Sequence, residues 1–200
     1  MKYLKYTIYN LLLLVTVSIS VSCSKESTGT ANATSTTGKA GSLSRFAIVG
    51  SHLYAVDNYS LYTYDINNPS NPTQVNILNI GSGVETIYAY NNQLFIGSNV
   101  GMFIYSLSNP SIPVKLGEAT HVRSCDPVVA NDSIAFVTLK GGTSCGPAIS
   151  GLYTYDVRNL MYPILLKTTE LPSPEGLGLQ GAYLYVCCND DGLKVFNVSN

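Results

Sequence analysis

The sequence contains no tryptophan, and only 12% of its residues are charged. That is about half the usual share for a soluble domain. The formal net charge is -1, and no basic run is present. Phosphate backbones are held by stripes of Lys and Arg, so nucleic acid is excluded as a partner. Histidine is also scarce, with only His52 and His121. The cysteines show no CxxC spacing and no nearby pair of histidines, which argues against a zinc site. Across the mature part no stretch repeats its apolar residues at the helical period.

The first residues differ from all that follow. Lys2 and Lys5 give a positive start, Ile8 to Val21 is mostly apolar, and Ser22 and Cys23 follow. The unbroken apolar part is too short to span a bilayer as a helix, and the order of charge, apolar core and small residues is that of a signal peptide. A cysteine directly after small residues resembles the lipoprotein cleavage box, in which it becomes the lipidated first residue. The usual box has Leu three places before the cysteine, where this chain has Ser20. The expectation is a signal peptide over 1–22 and a lipid on Cys23; the competing reading is an ordinary cleaved signal with a bystander cysteine. Residues 24–43 are mainly Ser, Thr, Gly and Ala. Such a segment has almost nothing to bury and reads as a tether between anchor and domain.

What the chain does have is tyrosine, with 15 copies, and a repeat. Leu53-Tyr54, Leu94-Phe95, Ala135-Phe136 and Leu184-Tyr185 recur at separations of 41, 41 and 49. A second signature begins at Leu61 (LYTYDINNP), Met102 (MFIYSLSNP), Leu152 (LYTYDVRNL) and Leu193 (LKVFNVSN), at separations of 41, 50 and 41. The period is therefore 41, with extra residues inside the third unit. Each unit holds four strand-like runs, in the first near Phe46–Val49, Leu53–Val56, Leu61–Ile66 and Gln74–Leu78. Turn-forming Gly, Asn, Asp, Ser and Pro separate them. Four short strands per repeat of about 40 residues is the pattern of a β-propeller blade. In the third run Leu61 and Thr63 share one face, and Tyr62, Tyr64 and Ile66 the other. A strand apolar on both faces needs cover on both sides, which blades stacked face to face supply.

These units, LYAVD with LYTYDINNPSNP, LFIGS with MFIYSLSNPSIP, AFVTL with LYTYDVRNL and LYVCC with LKVFNVSN, resemble the LVIVD-repeat family of exported bacterial lipoproteins. The resemblance covers about residues 44–200. It implies an all-β propeller of four-stranded antiparallel blades and no agreed activity. The third unit departs from the pattern, with Leu160-Met161-Tyr162-Pro163 where the first has Asn-Pro-Ser-Asn-Pro. The expected blades cover about 44–80, 84–120, 125–171 and 174–200. The last stops after its third strand and lacks the outer one. Four blades is the low limit for a closed ring. Either another segment closes the ring or the chain is a fragment of a larger protein, and the fragment is the preferred reading.

Blade topology then places side chains. The loop entering a first strand and the loop joining the second and third strands share one face. Cys125 lies in the first kind of loop and Cys145 in the second, so a Cys125–Cys145 disulfide is expected. It would close about 20 residues and contribute about 3 kcal/mol. Cys187 and Cys188, adjacent in a strand, are expected to be buried free thiols. At the first-strand starts, Ser44, Glu85, Asp126 and Glu175 stand in one slot. Glu85, Asp126 and Glu175 form a partial acidic ring able to hold a hard cation or a ligand's basic group. The plainer reading is that they accept backbone hydrogen bonds there. His121, Arg123 and Lys140 lie on the same face and would offset the acids. Asp65, Ser106, Asp156 and Asn197 recur at third-strand ends and are expected to cap the following turn. Asn189-Asp190-Asp191-Gly192 fits a hairpin turn.

No nucleophile and base can be paired, because His52 falls on the face opposite His121. The expectation is a non-enzymatic scaffold with no cofactor, lipid-anchored at a bacterial outer membrane or cell surface, on the outer or the periplasmic side. It would bind a protein or glycan and touch the membrane only through its lipid. The alternatives are a structural piece of a larger surface protein and, through paired carboxylates, a glycan hydrolase.

Overall fold

A computed structural model of the chain describes residues 43–120, 127–141, 150–189 and 191–199. Its strands come in four sets. The first is β1 (Phe46–Val49), β2 (His52–Val56), β3 (Ser60–Asp65) and β4 (Thr73–Asn79). The second is β5 (Val84–Tyr90), β6 (Gln93–Ser98), β7 (Gly101–Ser106) and β8 (Val114–Thr120). The third is β9 (Val128–Ala130), β10 (Ile134–Leu139), β11 (Gly151–Asp156) and β12 (Ile164–Glu170). The last is β13 (Pro174–Gln180), β14 (Tyr183–Cys188) and β15 (Gly192–Asn197). Each set is one antiparallel up-and-down sheet in chain order, and the last has three strands. This is the all-β architecture of propeller blades, with the fourth blade lacking its outer strand. Among the described residues no helix is long and apolar enough to cross a membrane.

The first strands β1, β5, β9 and β13 lie side by side in that order, so each blade packs on its neighbours. The alternation of the strands divides every sheet into two faces. In blade 1, Ala47, Tyr54, Leu61 and Thr63 are buried toward blade 2, where they meet Ile87, Leu94, Ile96, Phe103 and Tyr105. The other face of blade 2, Tyr88, Phe95, Met102 and Ile104, packs on Val128, Ala135, Val137 and Tyr155 of blade 3. Leu177, Leu184 and Val186 of blade 4 extend the same core. In β7 the run from Gly101 to Tyr105 is buried throughout, as expected for a strand covered on both sides.

The expectation of two-sided cover fails in the terminal blades. Tyr62 and Tyr64 of β3 are only half-buried, and Phe46, Ile48 and Ile77 beside them are exposed. Among the described residues the stacking that covers β7 ends at blade 1, so none of their sheets lies against this face. For the same reason Cys187 is exposed while Cys188 is buried, which corrects the expectation of two buried thiols; both are free.

The repeat extends to irregularities and turns. The third and fourth strands slip register between Thr63 and Tyr64, Ile104 and Tyr105, and Thr154 and Tyr155. The extra residues in the outer strands are Val75, Leu116 and Leu166, one apolar side chain in each blade. At third-strand ends, Asp65 Oδ1 accepts the Asn67 N–H (2.7 Å), Ser106 Oγ the Ser108 N–H (3.1 Å), Asp156 Oδ1 the Arg158 N–H (3.0 Å) and Asn197 Oδ1 the Ser199 N–H (3.0 Å). These are the expected side-chain caps. The deviant third unit keeps its turn as well. Asn159 Oδ1 accepts the Met161 N–H as Asn68 accepts that of Ser70 and Asn109 that of Ser111. Retaining the asparagine preserves the turn although its neighbours differ.

Candidate functional site: the inner-strand mouth

The inner strands all start at one mouth of the array, where the loops joining second and third strands also emerge. Ser44 stitches blade 1 to blade 2 there: its carbonyl accepts the Ile87 N–H (2.9 Å), and its hydroxyl donates to the Phe46 carbonyl (2.6 Å).

Glu85 and Glu175 both sit in β-bulges. Val84 pairs with Ser98 and Thr86 with Gly97, leaving Glu85 as the extra residue. Pro174 pairs with Cys188 and Leu177 with Val186, so Glu175 and Gly176 oppose Cys187 alone. A bulge interrupts the strict alternation of the strand and re-aims a side chain. The carboxylates are thereby held on strand backbone at the mouth without entering the core.

Each is set beside a cation. Burial raises the pKa of Glu85, and Arg45 nearby acts in the opposite direction. Glu175 is ion-paired with Lys140, the residue that follows β10, and the Glu175 carbonyl accepts the Thr138 hydroxyl (3.1 Å). The pair is partly exposed, and such pairs contribute at most about 1 kcal/mol to stability. Arg45 also faces Asp57. The Asp57 carboxyl is held below its ordinary range by the Tyr59 N–H first and the Tyr62 hydroxyl second, with smaller help from the Ser60 N–H and Arg45. The mouth is thus a mixed-charge surface, and Lys140 offsets an acid as expected. Among the described residues no group of three or more His, Cys, Asp and Glu side chains gathers to hold a metal ion. Asp126, His121, Arg123, Cys125 and Cys145 lie outside the described residues, as does Cys23.

His52 belongs to the opposite mouth, where its Nε2 is 3.0 Å from the Ser111 hydroxyl of blade 2. The Tyr54 hydroxyl donates to the Pro110 carbonyl in the same loop (2.7 Å), and burial pushes its pKa up to about 12. On this side Asp156, Arg158, Asn159, Tyr162 and Ile164 line an open cavity of about 400 Å³. Sequence reasoning missed the bulges and the electrostatic influence of Arg45 on Glu85. The separation of 41 between Ser44 and Glu85 was the available signal, because it puts Arg45 one step past the slot and next to the following blade.

Comparison with known proteins bears on the fold. No curated protein matches the chain. Among solved structures, the N-terminal domain of Nup159 is similar at 16% identity and a TM-score of 0.44, over 76% of this chain and 46% of that one. An S. cerevisiae complex titled as Dbp5 bound to Nup159, Gle1, IP6 and ADP matches with the same values. The chain thus spans less than half the length of the solved chains it resembles. The family described as LVIVD repeat matches residues 38–79 and 175–200, which span the first and the last blade. LVIVD repeats are thus found in the first and last of four sheets that are arranged as the blades of a β-propeller.

Proposed function

We propose that the chain is an exported scaffold, tethered to the membrane by a lipid on Cys23, that engages a protein partner through the inner-strand mouth. The observation carrying this reading is the pair of bulges at Glu85 and Glu175. They set charged groups at one end of a rigid stack of sheets, each beside a cation. Groups fixed on strands lose little freedom on binding, and complementary charge selects a partner and speeds its encounter. The reading is of a non-catalytic protein. His52 is engaged with Ser111, and Glu175 with Lys140, which supports recognition over proton transfer.

Two measurements test it. Growth with an alkyne fatty acid should label the wild-type chain and leave Cys23→Ser unlabelled; label on neither ends the lipid reading. Crosslinking in the cell envelope should capture a protein partner that Glu85→Gln with Glu175→Gln loses while the variant still folds. Capture unaffected by that double change, or binding on a glycan array in its place, would end the protein-partner reading. Turnover of glycosidase or esterase substrates would end the non-catalytic one.

A further inference from the structure

The turn between β11 and β12 carries a set of side chains that the inner-strand mouth does not use. Asp156, Arg158, Asn159, Tyr162 and Ile164 line the open cavity of about 400 Å³ at the opposite mouth, a size within the range of small-molecule sites. The turn beneath it is fixed. Asn159 Oδ1 accepts the Met161 N–H (3.1 Å), the Asn159 carbonyl accepts the Tyr162 N–H (3.2 Å), and the Leu160 and Met161 backbone lies directly on Gly117 of blade 2. Exposure of the cluster is a property of the turn. Tyr162 (68% exposed) and Ile164 (61% exposed) hold the positions of Ile112 (54% exposed) and Val114 (58% exposed), which stay open although all four strands of blade 3 follow them.

Three units share this turn and differ in what it presents. Where the third has Arg158 and Tyr162, the first has Asn67 and Asn71 and the second Ser108 and Ile112. Of the three, only the third joins a guanidinium to an aromatic ring. The Arg158 guanidinium is held against Asp156: its Nε donates to both carboxylate oxygens at 3.0 Å, and its Nη2 donates to Oδ2. The two charges cancel within the cavity, so neither an anion nor a cation gains net attraction there. These contacts leave the Asn159 amide N–H groups, the remaining Arg158 N–H groups and the Tyr162 hydroxyl as donors beside the apolar Ile164.

We propose that this cavity binds a neutral saccharide. A sugar ring is apolar on the faces that carry its C–H bonds and polar around its rim. The C–H face suits the negative face of an aromatic ring, and the rim hydroxyls suit planar donors. Tyr162 and Ile164 supply the first, and Arg158 and Asn159 the second. A guanidinium already held by a carboxylate, and an asparagine already committed to its turn, lose little freedom when a ligand arrives. The cavity lies at the mouth opposite Glu85 and Glu175, so a protein at one mouth and a sugar at the other bind independently.

The full chain, purified in mild detergent, is screened on an array of neutral and acidic oligosaccharides, and the sugar that binds is titrated by calorimetry. Binding of a neutral oligosaccharide with little dependence on salt is expected. Tyr162→Ala should weaken it about tenfold, and Tyr162→Trp should keep it. Position 162 is exposed, so both variants should hold the urea midpoint of the parent. The chain has no tryptophan of its own, so the emission of Tyr162→Trp reports on this cavity alone and should change as the sugar is added. Glu85→Gln with Glu175→Gln should bind the sugar as the parent does. Loss of the sugar in that double variant would put it at the inner-strand mouth and overturn the proposal. An array with no neutral sugar bound, an acidic glycan bound instead and released by salt, Tyr162→Ala binding like the parent, or Tyr162→Trp emission that does not respond overturns it equally.

Discussion

The side-chain amide of Asn91 donates to the carboxylate of Asp132, which stands one full repeat of 41 residues further along the chain. Asn91 is in the β5–β6 turn, and Asp132 is in the matching turn of blade 3. A repeat that brings a position against its own counterpart has its units aligned in space as well as in sequence.

This bond is exposed, and its worth follows from that. Asp132→Ala should cost about 0.5–1 kcal/mol. Asn91→Ala should cost more, because Asn91 adopts a positive φ of 41°, which asparagine tolerates better than alanine. Urea denaturation of the two single variants and the double variant gives the coupling, expected at about 0.5 kcal/mol. A coupling of zero would mean that the two turns merely lie near each other.

Thr63 is fully buried, and its hydroxyl has no hydrogen-bond partner. The equivalent position in blade 2 is Ile104, also fully buried. A buried hydroxyl without a partner costs about 1–3 kcal/mol relative to an apolar group of the same shape. Thr63→Val should therefore stabilise the chain by about 1 kcal/mol, seen as a higher urea midpoint with an unchanged slope. A lower midpoint would show that the hydroxyl has a partner after all.

Gly117 and Gly178 make opposite predictions. A methyl group at Gly117 would collide with the Leu160 carbonyl oxygen and stand 2.9 Å from the Met161 backbone, both in the next blade. At Gly178 it would meet nothing within 4 Å. Gly117→Ala should cost about 1–3 kcal/mol through forced backbone movement. Gly178→Ala should be neutral or slightly stabilising, because alanine restricts the unfolded chain. Thermal melts of the two variants compare them directly.

Asp156 carries a pH dependence. The Arg158 side chain first and the Arg158 N–H second hold its carboxyl at about 2. A carboxyl depressed in the folded state lends stability above its unfolded value, near 3.8, and loses it as pH falls through the folded value. Asp156→Asn keeps a turn-capping oxygen and removes the charge. It should be less stable than the parent at pH 5 and equal to it near pH 2. A difference constant across that range would remove the charge from the explanation.

The blades were legible in the sequence because Leu and Tyr mark the second and third strands at a fixed spacing, and turn residues mark the gaps. The observed strands of blade 1 fall within a residue or two of those expected. Three features were not legible, each for a reason of tertiary context. The bulges at Glu85 and Glu175 depend on which residue the partner strand leaves unpaired. Tyr62 and Phe103 share a position, yet Tyr62 is half-buried and Phe103 buried, because only blade 2 has a neighbour on that side. Cys187 resembles a core residue in its local sequence and is exposed for the same reason. At the mouth, the slot holding Glu85 and Glu175 was visible as a spacing, whereas the nearness of Arg45 to Glu85 required the adjacent blade.

Because the surface each blade offers is the surface the next one requires, a duplicated segment of 41 residues would arrive with both of its contacts already designed. Lengthening or shortening such a row by whole modules leaves every interior intact. Variation in module number, with the mouth residues free to drift independently in each, is then an inexpensive route to new binding surfaces.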